Sequence, residues 1–189
     1  MLVKGCIKGF ELGFETSEKC FSPRQIDRGT LAMLSCVDFY EGQKVLDLGC
    51  GYGVVGIIAA KITGAEHVYM VDVDPEALRW AMKNARRNGV KGVHILQSDA
   101  MDGLDETDFD LILCNPPYHT DFSVPKKFIE KGFNRLKIGG RMLMVTKRRE
   151  WYKNKFISIF GGVRIHELDG YYVFEAERRQ RDYAKKKRQ

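Results

Sequence analysis

Apolar runs rich in β-branched residues alternate along the chain with longer segments whose apolar positions recur every three or four residues. That alternation is the pattern of a parallel sheet with helices on both faces. Residues 44–48 predict a buried strand running into a glycine-rich turn at 49–53. The turn feeds a helix with apolar positions Val54, Val55, Ile57, Ile58 and Ile62. A second strand is expected at 67–73. Asp74 then caps a helix with Pro75 at its first position, and Ala77, Leu78, Ala81 and Ala85 share one face up to a stop near Asn88-Gly89. Further strands are expected at 93–97, 109–114 and 141–146. Between them lie an amphipathic helix at 128–136, stopped by Gly139-Gly140, and after them a helix at 149–160. Strands at 163–168 and 171–175 bracket Asp169-Gly170, a turn pair suited to an antiparallel hairpin that closes the sheet. Upstream, Ile26, Leu31, Leu34 and Val37 within 25–39 predict a covering helix, and Phe10, Leu12 and Phe14 alternate like a short strand.

Composition narrows the class. With 44% hydrophobic and 30% charged residues in 189, the chain has enough apolar content for one domain with a core. The longest apolar run, residues 54–60, ends at Lys61, far short of the roughly 18 residues a membrane span needs. Lys4, Lys8, Glu11, Glu15 and Glu18 leave no room for the apolar centre of a signal peptide, so a cytoplasmic location is expected. Five cysteines, widely spaced and without a C-x-x-C pair, argue against a disulfide framework and a zinc site. His67, His94 and His166 show no ligand spacing, and no metal is expected. The net charge of +6 belongs to residues 178–189, which hold seven Lys/Arg against Asp182; the remainder balances at 24 bases and 24 acids. One domain over residues 1–177, including an N-terminal extension to about residue 40, is therefore expected to end in a disordered basic tail. Such a tail either attracts a polyanion or serves as a solvated end.

The first chemical motif is Asp47-Leu48-Gly49-Cys50-Gly51-Tyr52-Gly53, where alternate residues lack a Cβ and a ligand can lie against bare backbone at a helix N-terminus. Gly51, Gly53 and Gly56 also satisfy G-x-G-x-x-G, with Asp72 about twenty residues on, so a nicotinamide enzyme or a bare nucleotide-binding module stays open. Two acids favour another cofactor. Asp47 would repel a pyrophosphate but suits an ammonium group, and Asp99 in Ser98-Asp99-Ala100 is placed to accept from an adenine amine. S-adenosylmethionine carries adenosine and a cation without phosphates.

The second motif, Asn115-Pro116-Pro117-Tyr118, ends the strand at 109–114, beside the first strand at the switch point where open α/β sheets bind ligands. Two prolines fix the backbone and remove two N–H donors, leaving acceptors: the Asn115 side-chain oxygen and the Pro116 carbonyl. Acceptors that hold both N–H bonds of an exocyclic amine or carboxamide favour a pyramidal nitrogen, and they stabilise the positive charge that grows on it during methyl transfer. Tyr118 offers a stacking face for a planar substrate.

In these motifs the chain resembles the class I S-adenosylmethionine-dependent methyltransferases of the methyltransferase small family, which includes ribosomal RNA small subunit methyltransferase C. The match runs from Phe21 to about Phe174. It is carried by Phe21-Ser22, Asp27-Arg28-Gly29-Thr30, the Asp47 turn, Asp72, Ser98-Asp99-Ala100 and Asn115-Pro116-Pro117-Tyr118-His119. The resemblance implies a doubly wound, Rossmann-like α/β fold of seven strands, the last antiparallel. It also implies a cofactor site drawn from Thr30, Asp47, Gly49, Cys50, Gly51, Gly53, Asp72, Val73, Ser98, Asp99, Ala100 and Asn115. Asn115, Pro116 and Tyr118 are the expected catalytic residues, and S-adenosylhomocysteine the product. Where the family often has phenylalanine, this chain has Tyr118.

The expected substrate is an exocyclic amine of RNA, first the guanine 2-amino group of ribosomal RNA, free or in a particle, and next the adenine 6-amino group of RNA or DNA. Protein glutamine methylation uses the same turn and is the alternative. Pro117, Tyr118 and His119 are expected to meet the substrate, and Lys147, Arg148 and Arg149 to track its phosphates, with Arg141, Lys153, Lys155, Trp151 and Tyr152 in support. Duplicated family members bind RNA through an extra N-terminal domain. Only about forty residues precede the first strand here, so the grip on RNA is expected to fall to other elements.

Overall fold

The computed structural model describes residues 1–117 and 121–184. Along the chain run β1 (Leu2–Ile7), β2 (Phe10–Glu15), α1 (Arg28–Ser35), β3 (Val45–Leu48), α2 (Val54–Thr63), β4 (Val68–Asp72), α3 (Pro75–Arg87) and β5 (His94–Gln97). They are followed by β6 (Phe109–Cys114), α4 (Ser123–Arg135), β7 (Leu136–Thr146), α5 (Glu150–Phe160), β8 (Arg164–Leu168) and β9 (Tyr171–Glu177). Seven strands form one sheet in the order β5-β4-β3-β6-β7-β9-β8, parallel except for β9, which is antiparallel to both its neighbours.

Period-two alternation sorts the strand residues into two cores. Val45, Leu111, Leu113, Leu143 and Val145 face α1, α2 and α3. Leu46, Leu48, Ile112, Met142, Met144 and Phe174 face α4 and α5, where Phe133, Phe156 and Phe160 pack. β3 and β6 lie side by side, with Leu48 opposite Cys114, so the glycine turn and the asparagine turn leave the sheet together at the switch point. Among the described residues no helix is long and apolar enough to cross a membrane.

Local signals explain most boundaries. Asp74 caps α3 by accepting from the Glu76 N–H at 2.8 Å, with Pro75 at the first position. Three elements differ from expectation. The covering helix is confined to Arg28–Ser35, because the Asp27 carboxylate caps it through the Thr30 N–H at 2.8 Å. The helix expected at 128–136 starts at Ser123, with Pro125 tolerated in its first turn, and runs straight into β7. Gly139-Gly140 therefore do not stop a helix; they form a bulge within β7, where the pairing jumps from Leu136 opposite Phe109 to Arg141 opposite Leu111 of β6. Gly139 has φ +87°, and a Cβ on Gly140 would lie 2.6 Å from the Phe109 carbonyl oxygen.

The N-terminal extension is a hairpin, β1 pairing with the expected β2. Its outer edge is closed by two asparagine amides one helical turn apart. Asn88 exchanges bonds with Gly13 at 3.0 and 2.9 Å, and Asn84 with Glu15 at 2.7 and 3.0 Å. A helical i,i+4 spacing nearly matches two residues of a strand, so α3 acts as the next ladder of the hairpin.

The disordered tail expected from residue 178 is corrected for residues 178–184, which are docked. The Arg178 N–H donates to the Gly140 carbonyl at 2.8 Å, its guanidinium donates to the Leu136 carbonyl at 2.6 Å, and it covers the Phe133 ring at 4.7 Å. Tyr183 meets Phe133 edge-on at 5.2 Å, and Ala184 donates to Ile159. Because β9 is antiparallel, this docking lies at the end of the sheet opposite the asparagine turn.

Candidate active site

A cavity of about 400 Å³ opens at the carboxyl end of β3, β4 and β6, within the range of small-molecule sites. Its floor is the glycine turn. Gly49 and Cys50 donate to the Val71 carbonyl at 2.9 Å each, and Gly51 donates to Asp72 Oδ2 at 2.9 Å, so the turn is tied to the end of β4. Gly49 and Gly51 have φ +73° and +53°, and nothing lies within 4 Å of where their Cβ atoms would stand. Side chains there would strain the backbone and fill the cavity. Gly53 and Gly56 have another reason to lack a Cβ: Met70 of β4 lies 3.0 Å and 2.4 Å from those positions, which lets α2 pack closely on the sheet.

Asp47 lies at the cavity wall, only 3% exposed, with Oδ2 accepting from the Gly56 N–H at 2.8 Å. Burial pushes its carboxyl up to about 7; the Gly56 bond opposes the shift and the charge of Asp72 adds to it. Burial also drives the thiols of Cys50 and Cys114 upward, and both stay protonated.

The adjoining wall joins the predicted residues of β4 and β5. Asp72 accepts from Asp74 N–H at 3.0 Å as well as from Gly51. Val73 is 63% exposed at the rim. The Ser98 N–H donates to the Asp72 carbonyl at 2.9 Å, and its hydroxyl accepts from Gly103 at 2.9 Å. Asp99 is held by Lys127 at 2.9 Å, a lysine that also pairs with Asp102, and Ala100 turns inward with φ +53°. From α4, Val124 and Phe128 complete this side.

On the opposite side, Asn115 Nδ2 donates to Asp27 Oδ2 and to Thr30 Oγ1, at 2.9 Å each. Pro116 and Pro117 line the cavity beside it, as does half-exposed Phe21. Asp27, Phe21, Tyr52, Val54, Val55, Val124 and Phe128 border the cavity without having been singled out as site residues. Asp27 entered only within the Asp27-Arg28-Gly29-Thr30 match to the family, without a role at the site. Tyr118 and His119 lie outside the described residues.

The basic stretch after β7 does not line the cavity. Lys147 sits over the Tyr171 ring at 5.0 Å, Arg148 over Phe122 at 5.2 Å, and Arg149 pairs with Glu150. Of the supporting residues, Tyr152 is buried against Phe174, and Trp151 is stacked on Phe122, which takes one of its faces. Arg141 is bound to Glu175 at 2.7 Å, opposite Leu111 and far down the sheet, and Lys155 is paired with Glu130.

The model of the methyltransferase small domain matches residues 11–175. The uncharacterised protein YbxB of Bacillus subtilis strain 168 is 28% identical over 178 residues, which is 91% of this chain and 89% of that protein. Ribosomal RNA small subunit methyltransferase C of Hahella chejuensis is 33% identical over 165 residues, 84% of this chain but 47% of its own length, so the chain spans about half of such relatives. The solved T. thermophilus 16S ribosomal RNA guanine-N2 methyltransferase, in complex with S-adenosylmethionine and guanosine, superposes with a TM-score of 0.88 at 27% identity, over 95% of this chain and 50% of that one. This chain belongs to the methyltransferase small domain family of S-adenosylmethionine-dependent methyltransferases.

Proposed function

We propose that the protein methylates an exocyclic amine of a base in RNA, with the guanine 2-amino group of ribosomal RNA as its target. The orientation of Asn115 carries this reading: its NH2 is engaged by Asp27 and Thr30, which turns the carbonyl oxygen of the amide the other way, as an acceptor. Likeness to relatives named for ribosomal RNA methylation supports the choice of RNA.

The residues present suit the cofactor. The bare backbone over Gly49 and Gly51 leaves room for its amino-acid part, the Asp47 carboxyl stands ready to pair with an ammonium, and nothing in the turn favours a pyrophosphate beside two carboxylates. Asp72 and Val73 would meet the ribose, and Ser98, Asp99 and Ala100 the adenine. When bound, S-adenosylmethionine supplies an electrophilic methyl group on a sulfonium. The protein's part is positioning. Asn115 Oδ1 and the Pro116 carbonyl accept the two N–H bonds of the target amine, leaving its lone pair directed away from both, and their dipoles stabilise the charge that develops on nitrogen. The ammonium product then loses its proton to water, so no side-chain base is needed.

The test is incubation with methyl-labelled S-adenosylmethionine and an extract of cells lacking the protein, followed by counting of RNA and protein fractions and nucleoside mass spectrometry. Label in RNA as N2-methylguanosine is the expected result. Label in RNA as N6-methyladenosine would keep the chemistry and change the base. Label only in protein, as methylglutamine, would overturn the RNA reading.

A further inference from the structure

Asp27 does two things with one oxygen. Its Oδ2 accepts from the Thr30 N–H at 2.8 Å, which caps α1, and from Asn115 Nδ2 at 2.9 Å. A carboxylate only accepts, so the Asn115 atom facing it must be nitrogen; a flipped amide would set two oxygens 2.9 Å apart. Thr30 Oγ1, also at 2.9 Å, takes the second amide hydrogen. Thr30 is 7% exposed and Asp27 and Asn115 are half-buried, so water is partly excluded from these bonds. α1 is tied in turn to the β8–β9 turn by the Arg28–Asp169 ion pair.

We infer that Asp27, with Thr30, is a positioning residue that holds Asn115 as an acceptor toward the target amine, a role that rests on the amine-methylation reading above. The locked amide cannot turn its nitrogen to a carbonyl, so the site selects an atom bearing N–H bonds over a carbonyl oxygen. Asp27 itself acts through Asn115.

Three substitutions separate this role from the helix cap. In D27S, serine still caps the Thr30 N–H, but its shorter side chain stops short of Asn115. In D27N, the asparagine oxygen accepts both bonds. T30V removes the second acceptor and leaves the cap. Turnover is measured on whichever fraction the wild type labels, beside the dissociation constant of S-adenosylhomocysteine, the melting temperature and the side-chain amide NMR signals of Asn115, assigned by their loss in N115A.

D27S should lower kcat about 10- to 100-fold, since small misplacement at a reacting centre has effects of that size. Cofactor affinity should stay within about twofold, and D27N should recover most of the turnover because it restores the same bond. Combined with N115A, D27S should add nothing, as expected of residues acting as one unit. The wild-type Asn115 amide protons should be shifted and slow to exchange, and D27S should abolish both features. Equal losses in D27S and D27N, additive losses with N115A, or a fast-exchanging wild-type amide would each overturn the positioning role while leaving amine methylation standing. A protected amide with label on an oxygen or carbon atom would instead overturn the amine reading.

Discussion

On the glycine-turn side of the cavity, the carboxylates are bonded to backbone amides of their own neighbourhood: Asp47 to Gly56, and Asp72 to Gly51 and Asp74. On the asparagine side, Asn115 leans on Asp27 and Thr30, 88 and 85 positions away in the chain. The first half is self-bracing, because one βαβ unit contains both the turn and what holds it. The second depends on α1 being docked and capped before its polar group points the right way. On the proposed function, binding of the cofactor and orientation of the target amine fall to separable parts of the molecule.

The sharpest way to break that separation is to exchange the effects. Asn115→Ala should lower kcat by about a hundredfold or more, as loss of an electrostatic stabiliser does, with the S-adenosylhomocysteine dissociation constant nearly unchanged. A matching loss of cofactor affinity in titration calorimetry would show the halves to be coupled. Asp72→Ala should do the reverse, weakening the cofactor about tenfold or more by removing one hydrogen-bonded charge and freeing Gly51, while kcat at saturating cofactor changes less. An unchanged dissociation constant would remove Asp72 from the ribose site.

A smaller effect should appear with pH. Folded Asp47 keeps its proton up to about 7, whereas an ordinary aspartate loses it near 3.8, so in that window the folded state binds more protons. Stability of the free protein should therefore fall as pH rises from about 4 to about 7, and the cost should be full above that range. An ammonium bound beside Asp47 favours the ionised form, so affinity for S-adenosylhomocysteine should rise severalfold over the same window. Asp47→Asn should flatten both trends; melting curves and calorimetry across pH would detect a failure of either.

The smallest expected change concerns the α4 wall of the cofactor half, which is buttressed from outside by Arg178 and Tyr183 on Phe133. Truncation after Glu177 removes that support and should lower the melting temperature by about 2 to 4 °C for each 1 kcal/mol lost. Truncation after Ala184 keeps it and removes Lys185, Lys186, Lys187 and Arg188. If RNA binding keeps its full salt dependence without those four charges, the tail is not what holds the RNA.

Contiguous patterns made much of this legible in advance. The strand apolar runs, the Asp74-Pro75 helix start, the Asp169-Gly170 turn and the Asp47-to-Gly53 motif all act within a few residues of themselves, so the chain displays them directly. Where a residue's role depends on what packs against it, the same reading failed. Gly139-Gly140 look like a helix stop, yet the approach of the Phe109 carbonyl from β6 makes them a bulge. Arg178 looks like the start of a free tail, yet the Phe133 ring and the edge of β7 give it a seat.

The site divides along the same line. Backbone conformation and strand-end carboxylates, both local properties, marked the residues that line the glycine-turn side of the cavity. The burial that pushes Asp47 up to about 7, the seating of Lys147 on Tyr171 and of Arg148 on Phe122, and the meeting of Asp27 with Asn115 all come from contacts between distant segments. Such contacts exist only after loop closure has brought those segments together, and no local pattern in a single chain records which partner a capping aspartate will acquire.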